Sequence, residues 1–351
     1  MADFFVAGET LVDFVPESGA TLRDVGGYAH RPGGAPANVA VGLARLGTPP
    51  AFWTRLGDDS FGNFLAETLA DEGIPETYVK RVEGKTTLAV VSPPDAAGPR
   101  FGFYGSRGVT FGFDPDAVPT EALTTPDREA SPEGAASPAR TTAPPWVHLG
   151  GVALTHPRGR AATRELCSAA TAAGCPVSFD VNYRSDLVPD GAGEAVSTAV
   201  REAVAASGVV LCSDEDVAAA GLSTNEGTEL ARDLLAAGAH TAVVTLGDEG
   251  ALAVSSEASP WGAATVRRGG FAVEAVDATG AGDAFTAGFL SRITGGRRDE
   301  SADGGGNALR EAIAFGNATA ALSVREVGGM GSIPSRETVE SFLAEREERA
   351  G

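Results

Sequence analysis

The strongest constraint on the fold is a regular alternation of short apolar segments with alanine-rich segments from position 146 onward. An apolar run of about four to eight residues bounded by turn residues is typical of a strand buried on both faces. Because crossovers through a helix place successive strands parallel, the alternation predicts an α/β fold, a mainly parallel sheet with helices on both faces. The predicted strands are WVHLGG, PVSFDVN, GVVLCS, TAVVTLG and ALAV.

The alternation begins near the N-terminus. An apolar run at 3–8 predicts the first strand, and AFWTRLG at 51–57 predicts another. Between them, residues 36–46 carry apolar side chains at roughly helical spacing, follow a Gly-Gly turn and are closed by Gly47, so they predict a helix. Since 351 residues can bury one large core with additions, we predict a single domain over 1–351.

Two segments predict a small second sheet outside the main core. Residues 11–31 overlap the alternating stretch TLVDFVP, and residues 86–105 have the pattern of two strands around a Pro/Gly turn. Two other segments, 119–145 and 295–307, have low-complexity compositions without periodicity, which predicts surface loops that carry no chemistry.

The charge excludes two classes of partner. The chain has 47 acidic and 27 basic residues, for a formal net charge of -20, which nucleic acid and anionic membranes would repel. Almost every basic residue is arginine, with lysine only at Lys80 and Lys85. Such a surface suits a halophilic, high-salt cytoplasm, where screening is strong. A GC-rich genome with an acidic bias is the alternative source of this composition.

Cysteine usage and the N-terminal sequence indicate the compartment. Cys167, Cys175 and Cys212 are widely spaced and lack metal-binding spacing, so we expect small core residues in a reducing environment. The first residues carry no basic segment followed by an apolar run, and no stretch reaches the roughly 18 apolar residues of a membrane span. We therefore expect a cytoplasmic protein.

The segment with the clearest chemistry is VDATGAGDAFTAGFL at 276–290. Gly280 and Gly282 allow a tight turn with exposed N–H groups, and the apolar helix that follows adds its dipole, so this turn predicts a binding site for a phosphate oxygen. A carboxylate repels phosphate, so Asp283 is out of place in a phosphate site unless it has another role. Phosphoryl transfer requires such a role, because a carboxylate accepts the proton of the attacking hydroxyl. Asp283 is therefore the predicted general base; the alternative is a simple helix cap.

A second segment, GGAPANVAVGLARLG at 33–47, places a Gly-Gly turn before a helix. Gly33 and Gly34 let a ligand approach the backbone, and the amide of Asn38 can both donate to and accept from sugar hydroxyls. An ordinary helix cap is again the alternative. Neither a Walker A loop nor an intact GxGxxG after a strand is present in the sequence, which argues against P-loop enzymes and Rossmann dehydrogenases.

Together these two segments resemble the two signatures of the ribokinase-like, or PfkB, family of carbohydrate kinases, in the same order and separation. The resemblance implies a ribokinase-like three-layer sandwich with a small β-sheet lid, sugar bound between the two, and ATP along the C-terminal half. It implies Asp283 as the base and Gly280, Ala281 and Gly282 as the anion hole. It also implies that the sugar hydroxyls are bound by Asp13, which lies in GETLVDF, and by Gly33, Gly34 and Asn38.

The resemblance also implies a nucleotide site. The NxxE motif that many members use for magnesium and phosphate corresponds here to CSDEDV, where Ser213 and Asp216 replace asparagine and glutamate. The shorter carboxylate can still serve Mg²⁺ through waters. Further implied residues are Thr245 and Gly247 near the phosphates, Asn317 beside adenine, and Asp277 and Thr279 for a monovalent cation such as K⁺.

The substrate is less constrained by the sequence. Several segments are most similar to fructokinases, whereas SFDVNYRSDL at 178–187 is also similar to 2-keto-3-deoxygluconate kinases. Arg107 and Arg184 are candidates for binding an acid-sugar carboxylate through a guanidinium fork. We expect an ATP- and Mg²⁺-dependent fructokinase that makes fructose 6-phosphate and dimerises through its lid. The alternatives are a 2-keto-3-deoxygluconate kinase and a catalytically silent sugar or nucleotide sensor.

Overall fold

A computed structural model of the protein describes residues 3–19, 21–93, 101–124, 143–295 and 306–348. Thirteen strands within these ranges form a nine-stranded sheet and a separate four-stranded sheet. The strands are β1 (Phe4–Ala7), β2 (Leu11–Pro16), β3 (Tyr28–Gly33), β4 (Ala51–Gly57), β5 (Val79–Val82), β6 (Leu88–Val91), β7 (Phe101–Tyr104), β8 (Trp146–Gly150), β9 (Val177–Asp180), β10 (Val209–Ser213), β11 (Thr241–Thr245), β12 (Ala251–Ser255) and β13 (Ala264–Arg268).

The large sheet has the order β13-β12-β11-β10-β9-β8-β1-β4-β5, and its pairs from β11 to β5 are parallel. The prediction of a mainly parallel sheet is confirmed. β12 and β13 are added antiparallel at one edge. The chain builds outward from β1 in both directions, so the strand order reverses between β1 and β8. In open α/β sheets, ligands bind outside the carboxyl ends of the strands at such a switch point.

Helices cover both faces of this sheet. One core lies under α4, α5, α6 and α7, and a second core lies under α1, α8, α9 and α10. This arrangement is the predicted three-layer α/β sandwich. The helices are α1 (Ala35–Arg45), α2 (Ser60–Asp71), α3 (Arg107–Phe111), α4 (Pro157–Ala172), α5 (Gly193–Ala205), α6 (Asp214–Ala219), α7 (Gly227–Ala236), α8 (Ala281–Gly295), α9 (Gly306–Ser323) and α10 (Arg336–Glu348).

The small sheet has the order β3-β2-β6-β7 and is built from the two segments that the sequence assigns to it. One face packs on α2, where the Phe14 and Phe61 ring centroids lie 5.6 Å apart. The opposite face carries Leu11 and Ala89, which join a cluster with Phe111 of the main body. Asp13 lies on this inner face. Residues 94–100 of the predicted hairpin fall outside the described ranges, and closure of the sheet as a lid stays a prediction.

Several smaller expectations concern the rest of the chain. Most of the loops predicted at 119–145 and 295–307 lies outside the described residues, although Thr120–Ala122 forms a short 3-10 helix. The three cysteines are buried and carry no disulfide. Among the helices in the described ranges, none is long and apolar enough to span a membrane.

Candidate active site

Asp283 lies in the first turn of α8 and is 8% exposed. Its Oδ2 accepts a hydrogen bond of 2.7 Å from Nδ2 of Asn38, which lies in the first turns of α1 and is also buried. α1 and α8 pack against each other on the same face of the large sheet. The segment that predicts a phosphate site and the segment that predicts a sugar site are therefore joined by the hydrogen bond between Asn38 and Asp283.

The turn before α8 has the geometry that the Gly-Ala-Gly sequence predicts. Gly280 has a φ of 75°, a conformation that L-residues rarely adopt, and a β-carbon placed there would lie 2.7 Å from Cα of Gly329. Gly282 is exposed, and a β-carbon on it would contact nothing within 4 Å. Backbone N–H groups at the start of a helix carry its positive dipole end. The turn therefore offers an accessible position for an anion beside Asp283.

Asp277 ties this turn to a second glycine-rich loop. Its Oδ1 accepts from the N–H of Thr279 at 2.9 Å, and its Oδ2 accepts from the N–H of Gly328 at 2.9 Å. Burial raises the pKa of Asp277, but these N–H groups and the charge of Arg31 outweigh it, so the pKa lies below its usual value. Asp277 is therefore ionised and accepts a hydrogen bond at each oxygen.

The predicted sugar-binding residues lie where β1, β2 and α1 meet. Gly33 leaves room for Asp13, since a β-carbon at position 33 would lie 2.1 Å from Oδ2 of Asp13. Gly34 has a φ of 105°, and a β-carbon there would lie 2.6 Å from the carbonyl oxygen of Glu9. These close approaches fix the turn that begins α1 and that presents Asn38 to Asp283.

Two carboxylates of this site, Asp283 and Asp13, have raised proton affinities. Burial raises the pKa of Asp283 to about 6, with the hydrogen bond from Asn38 and the charge of Arg184 opposing the rise. Removal from water, together with the charges of Asp283 and Asp277, raises the pKa of Asp13 to about 7. Asp283 is thus mostly ionised at neutral pH, whereas Asp13 is near half protonation.

Polar groups also follow β9 and β10 at the carboxyl edge of the sheet. Burial raises the pKa of Asp180 well above its usual value, and the charges of Asp283 and Asp216 add to this effect. Ser213 caps α6: its hydroxyl accepts from the N–H of Asp216 at 3.1 Å and donates to that residue's carboxylate at 2.9 Å. Burial raises the pKa of Asp216 as well. Asn182 has a φ of 28°, and its buried Oδ1 accepts no hydrogen bond.

Arg184 and Arg107 lie near the site and act on different groups. Arg184 is exposed, and its positive charge lowers the proton affinity of four carboxylates. The guanidinium of Arg107 donates to the carbonyl oxygen of Leu187. The four carboxylates that Arg184 affects are Glu9, Asp180, Asp216 and Asp283.

The residues predicted for the nucleotide lie further along the same edge. Thr245 ends β11, and its hydroxyl donates to the carbonyl of Cys212 at 3.2 Å. Gly247, with a φ of 59°, has open space around its α-carbon. The buried amide of Asn317 in α9 donates to two carbonyl oxygens at the end of β13, those of Arg268 and Gly269, both at 3.1 Å. Asn317 therefore anchors α9 to the last strand of the sheet.

Sequence reasoning did not single out Glu9, Asp180 or Asn182. Glu9 is 2% exposed, its Oε2 has no hydrogen-bond partner, and burial raises its pKa to about 7. Glu9 follows β1, Asp180 ends β9 and Asn182 follows β9, all at the carboxyl edge. The one available signal was the rule that polar residues at the carboxyl ends of parallel strands line the ligand crevice.

The fold has a close structural parallel. A fructokinase double mutant from Vibrio cholerae O395, solved with fructose, ADP and a potassium ion bound, superimposes with a TM-score of 0.78 at 26% identity, covering 97% of each chain. The protein is an ATP-dependent sugar kinase with a ribokinase-like fold.

Sequence comparison places it more narrowly. The chain belongs to the pfkB family of carbohydrate kinases, whose family model matches residues 1–102 and 143–336. It is 33% identical to a fructokinase of Escherichia coli over 348 residues, which span 97% of this chain and 99% of the relative. It is 30% identical to a fructokinase of Vibrio alginolyticus over 347 residues, or 98% and 100% of the two chains.

Proposed function

We propose that the protein is a fructokinase that transfers the γ-phosphoryl group of ATP to the primary hydroxyl of fructose, giving fructose 6-phosphate. The observation that carries this proposal is the position of Asp283: a buried carboxylate directly after the Gly280–Gly282 turn and hydrogen-bonded to Asn38. The relatives named fructokinase, similar over nearly the whole chain, support fructose as the acceptor.

Asp283 is the general base in this mechanism. Its pKa of about 6 leaves it ionised at neutral pH and still basic enough to take the proton of a hydroxyl as that hydroxyl attacks phosphorus. The Asn38 amide donates to Oδ2, which leaves Oδ1 for the substrate and restrains rotation of the carboxylate. The proton moves from the sugar hydroxyl to Asp283 as the new O–P bond forms and the bond to ADP breaks.

The predicted anion hole is the backbone of Gly280, Ala281 and Gly282, and its N–H groups at Gly280 and Gly282 would stabilise the transferring phosphoryl group. The N–H of Ala281 donates instead to the carbonyl oxygen of Ala278 at 3.1 Å. Phosphoryl transfer depends mainly on positioning and on donors for the charge of the equatorial oxygens. N–H groups held at the start of α8 provide such donors without reorganisation during the reaction. The close packing of Gly280 on Gly329 keeps these groups in place.

Asp13, Gly33, Gly34 and Asn38 are the proposed sugar-binding set. A carboxyl group whose pKa is about 7 can accept from one hydroxyl when ionised or donate to another when protonated, which suits Asp13 to a polyol. The glycines keep side chains away from the turn, so a sugar can approach the backbone. We further propose that the small sheet closes over the sugar, because water in the site would hydrolyse ATP.

For the nucleotide we propose Thr245 and Gly247 near the phosphates, Asn317 near adenine, and Asp216 for the metal. Magnesium takes oxygen ligands, often through waters. Asp216, Asp180 and the unpartnered Oδ1 of Asn182 are oxygen donors at the same edge of the sheet, so the chemistry of the residues present fits this ion. Bound Mg²⁺ would neutralise charge on the ATP phosphates.

The relatives named fructokinase favour a neutral sugar over 2-keto-3-deoxygluconate. Arg107, which donates to the carbonyl of Leu187, and the exposed Arg184 are the guanidinium groups that would bind the carboxylate of an acid sugar. A silent sensor is disfavoured for another reason, since Asp283 and its glycine turn are both retained.

The proposal is tested by ADP release in about 2 M KCl, a salt level that screens the acidic surface. The assay contains ATP and Mg²⁺ with fructose, 2-keto-3-deoxygluconate, ribose or adenosine, and fructose 6-phosphate is identified in the product. Turnover with fructose that disappears in Asp283→Asn is the expected result. Turnover with the acid sugar alone would keep the mechanism and replace the substrate. Failure with every sugar would favour the sensor.

We also propose a cytoplasmic homodimer formed through the small sheets. β3 and β7 are the edge strands of that sheet, and Tyr104 on β7 is 62% exposed. Unpaired strand edges with exposed aromatic side chains are suited to pairing with a second copy. Light scattering in high salt is expected to give twice the monomer mass; a monomer at every concentration would contradict the proposal.

A further inference from the structure

Arg45, the last residue of α1, binds three carbonyl oxygens of a single loop. Its Nη1 donates to the carbonyl of Met330 at 3.3 Å, to that of Gly331 at 2.9 Å and to that of Ile333 at 2.7 Å. These residues lie between α9 and α10, in a segment we call the 328–333 loop, and the side chains of Met330 and Ile333 are buried. One nitrogen of Arg45 therefore ties the middle of this loop to the C-terminal end of α1.

The other side of the Arg45 guanidinium is held by Glu72, which directly follows α2. Nε of Arg45 donates to Oε2 of Glu72 at 2.9 Å, and Nη2 donates to Oε1 at 2.6 Å. The two side chains are only 25% and 21% exposed. A bidentate pair of this kind fixes the plane of the guanidinium. Because the carboxylate occupies Nε and Nη2, Nη1 is held in position for the loop carbonyls.

The first residues of the same loop pack on the proposed anion hole. A β-carbon on Gly280 would lie 2.7 Å from Cα of Gly329, and a β-carbon on Gly329 would lie 3.0 Å from Nδ2 of Asn38. The N–H of Gly328 also donates to Asp277, just before the turn, at 2.9 Å. The 328–333 loop thus contacts both the glycine turn and the amide that orients the proposed base.

We propose that Arg45 is a positioning residue for phosphoryl transfer: it holds the 328–333 loop against the Gly280–Gly282 turn and so fixes the N–H groups that receive the phosphate oxygens. Such donors stabilise a transition state because they are in place before the reaction begins. A misplacement of about 1 Å can cost about 10²-fold in rate, so a loop released from Arg45 would slow the transfer. This inference rests on the proposed function, because it assumes that the turn binds phosphate.

The test separates the loop contacts of Arg45 from its ion pair. Glu72→Gln removes the charge of the pair and leaves Arg45 to bind the three carbonyls, so it is the matched control for lost stability. Arg45→Lys keeps the positive charge but replaces the planar fork by a single nitrogen, and Arg45→Gln removes the charge as well. Arg164→Gln, which removes an exposed arginine paired with Glu202, controls for the loss of an arginine elsewhere.

Steady-state kinetics with fructose and melting temperatures are measured for each variant. We expect kcat to fall about 3- to 10-fold in Arg45→Lys and about 10- to 100-fold in Arg45→Gln, with KM for fructose within about twofold of wild type. Glu72→Gln and Arg164→Gln should keep kcat within about twofold. Glu72→Gln should nevertheless melt at a lower temperature, because it breaks a part-buried ion pair. Should Arg45→Gln fail to fold, the comparison of Arg45→Lys with Glu72→Gln decides.

Hydrogen exchange of the ligand-free proteins gives a readout that does not depend on turnover. Backbone amides in residues 326–334 and 276–284 should exchange faster in both Arg45 variants than in wild type, by about tenfold or more in Arg45→Gln. Glu72→Gln should leave both segments at wild-type rates, since Arg45 still binds the loop. Failure of every sugar in the assay would reject the proposed function, while exchange would still test whether Arg45 holds the turn.

Three results would overturn the inference. A kcat for Glu72→Gln as low as that of Arg45→Lys would show that turnover follows the ion pair and not the loop contacts. Wild-type kcat in the folded Arg45 variants would show that the turn does not depend on Arg45. Exchange at wild-type rates in both segments of these variants would show that the loop keeps its place without the guanidinium.

Discussion

Nδ2 of Asn38 donates to Oδ2 of Asp283 at 2.7 Å, joining two residues separated by 245 positions. Asn38 belongs to the helix that follows the proposed sugar-binding turn, and Asp283 belongs to the helix that follows the proposed anion hole. The hydrogen bond orients the carboxylate and favours its charged form. A displacement of either helix would therefore change both the direction and the basicity of the proposed base.

Replacing Asp283 by asparagine should remove catalysis and leave the fold intact. The amide is close in size to the carboxylate but cannot accept the hydroxyl proton, so we expect kcat to fall by about 10²- to 10⁴-fold, the usual contribution of a positioned general base. Steady-state kinetics with fructose measures this loss. Asp71→Asn, an exposed change at the end of α2, is the matched control and should retain wild-type kcat. Equal kinetics for the two variants would contradict the assignment.

Removing the amide of Asn38 should change the pH dependence of the reaction. The hydrogen bond from Asn38 lowers the pKa of Asp283, so in Asn38→Ala that pKa rises above its value of about 6. The acid limb of the kcat/KM profile, which reports ionisation of the free enzyme, should move to higher pH. Rates from pH 5 to 9 measure the shift. A lower kcat/KM whose acid limb stays at the wild-type pH would mean that Asn38 acts only by binding the sugar.

The central strands could be predicted from sequence, whereas the edge strands could not. β8 to β12 are apolar because both of their faces are covered, and the sequence predicts each of them. β5 (VKRV) and β13 (ATVRR), at the two edges of the large sheet, carry charged or exposed side chains and no continuous apolar run. Their pairing depends on a neighbouring strand that local sequence does not reveal.

The candidate site was predictable to the extent that it lies in short segments. The turn before Asp283 and the turn before Asn38 each have a local signature, so both segments could be found. Their hydrogen bond is set by the packing of α1 on α8, which spacing along the chain does not specify. Glu9 and Asp180 could not be predicted as site residues, because burial of a carboxylate is a property of the tertiary structure. In the sequence they are ordinary acidic residues.

Burial of Glu9 predicts a pH-dependent cost to stability. Its pKa is about 7 in the fold against a usual 4.5, because burial outweighs the backbone N–H groups that favour the charge. Between these values the folded protein binds more protons than the unfolded chain, so this group's contribution to stability falls as pH rises from about 4.5 to 7. Glu9→Gln should therefore be more stable than wild type at high pH, by roughly 1–3 kcal/mol.

Denaturant unfolding at pH 8 and at pH 4.5 measures this difference, which should be large at the first pH and close to zero at the second. The matched control is Glu17→Gln, an exposed glutamate just beyond β2, whose effect should be small at both values. A Glu9→Gln variant that is less stable than wild type at pH 8 would show that the ionised carboxylate stabilises the fold.

A methyl group on Gly280 should damage catalysis more than stability. Gly280 has a φ of 75° and Gly262, in the turn between β12 and β13, has a φ of 67°, so alanine at either position costs about 1–2 kcal/mol of backbone strain. A β-carbon at 262 contacts nothing within 4 Å, whereas one at 280 lies 2.7 Å from Cα of Gly329 and must displace the turn. Because a misplacement of about 1 Å can cost about 10²-fold, kcat should fall by that factor in Gly280→Ala and stay unchanged in Gly262→Ala. Melting temperatures and kcat measured for both variants separate the two effects, and equal kcat values would remove the Gly280 turn from the proposed mechanism.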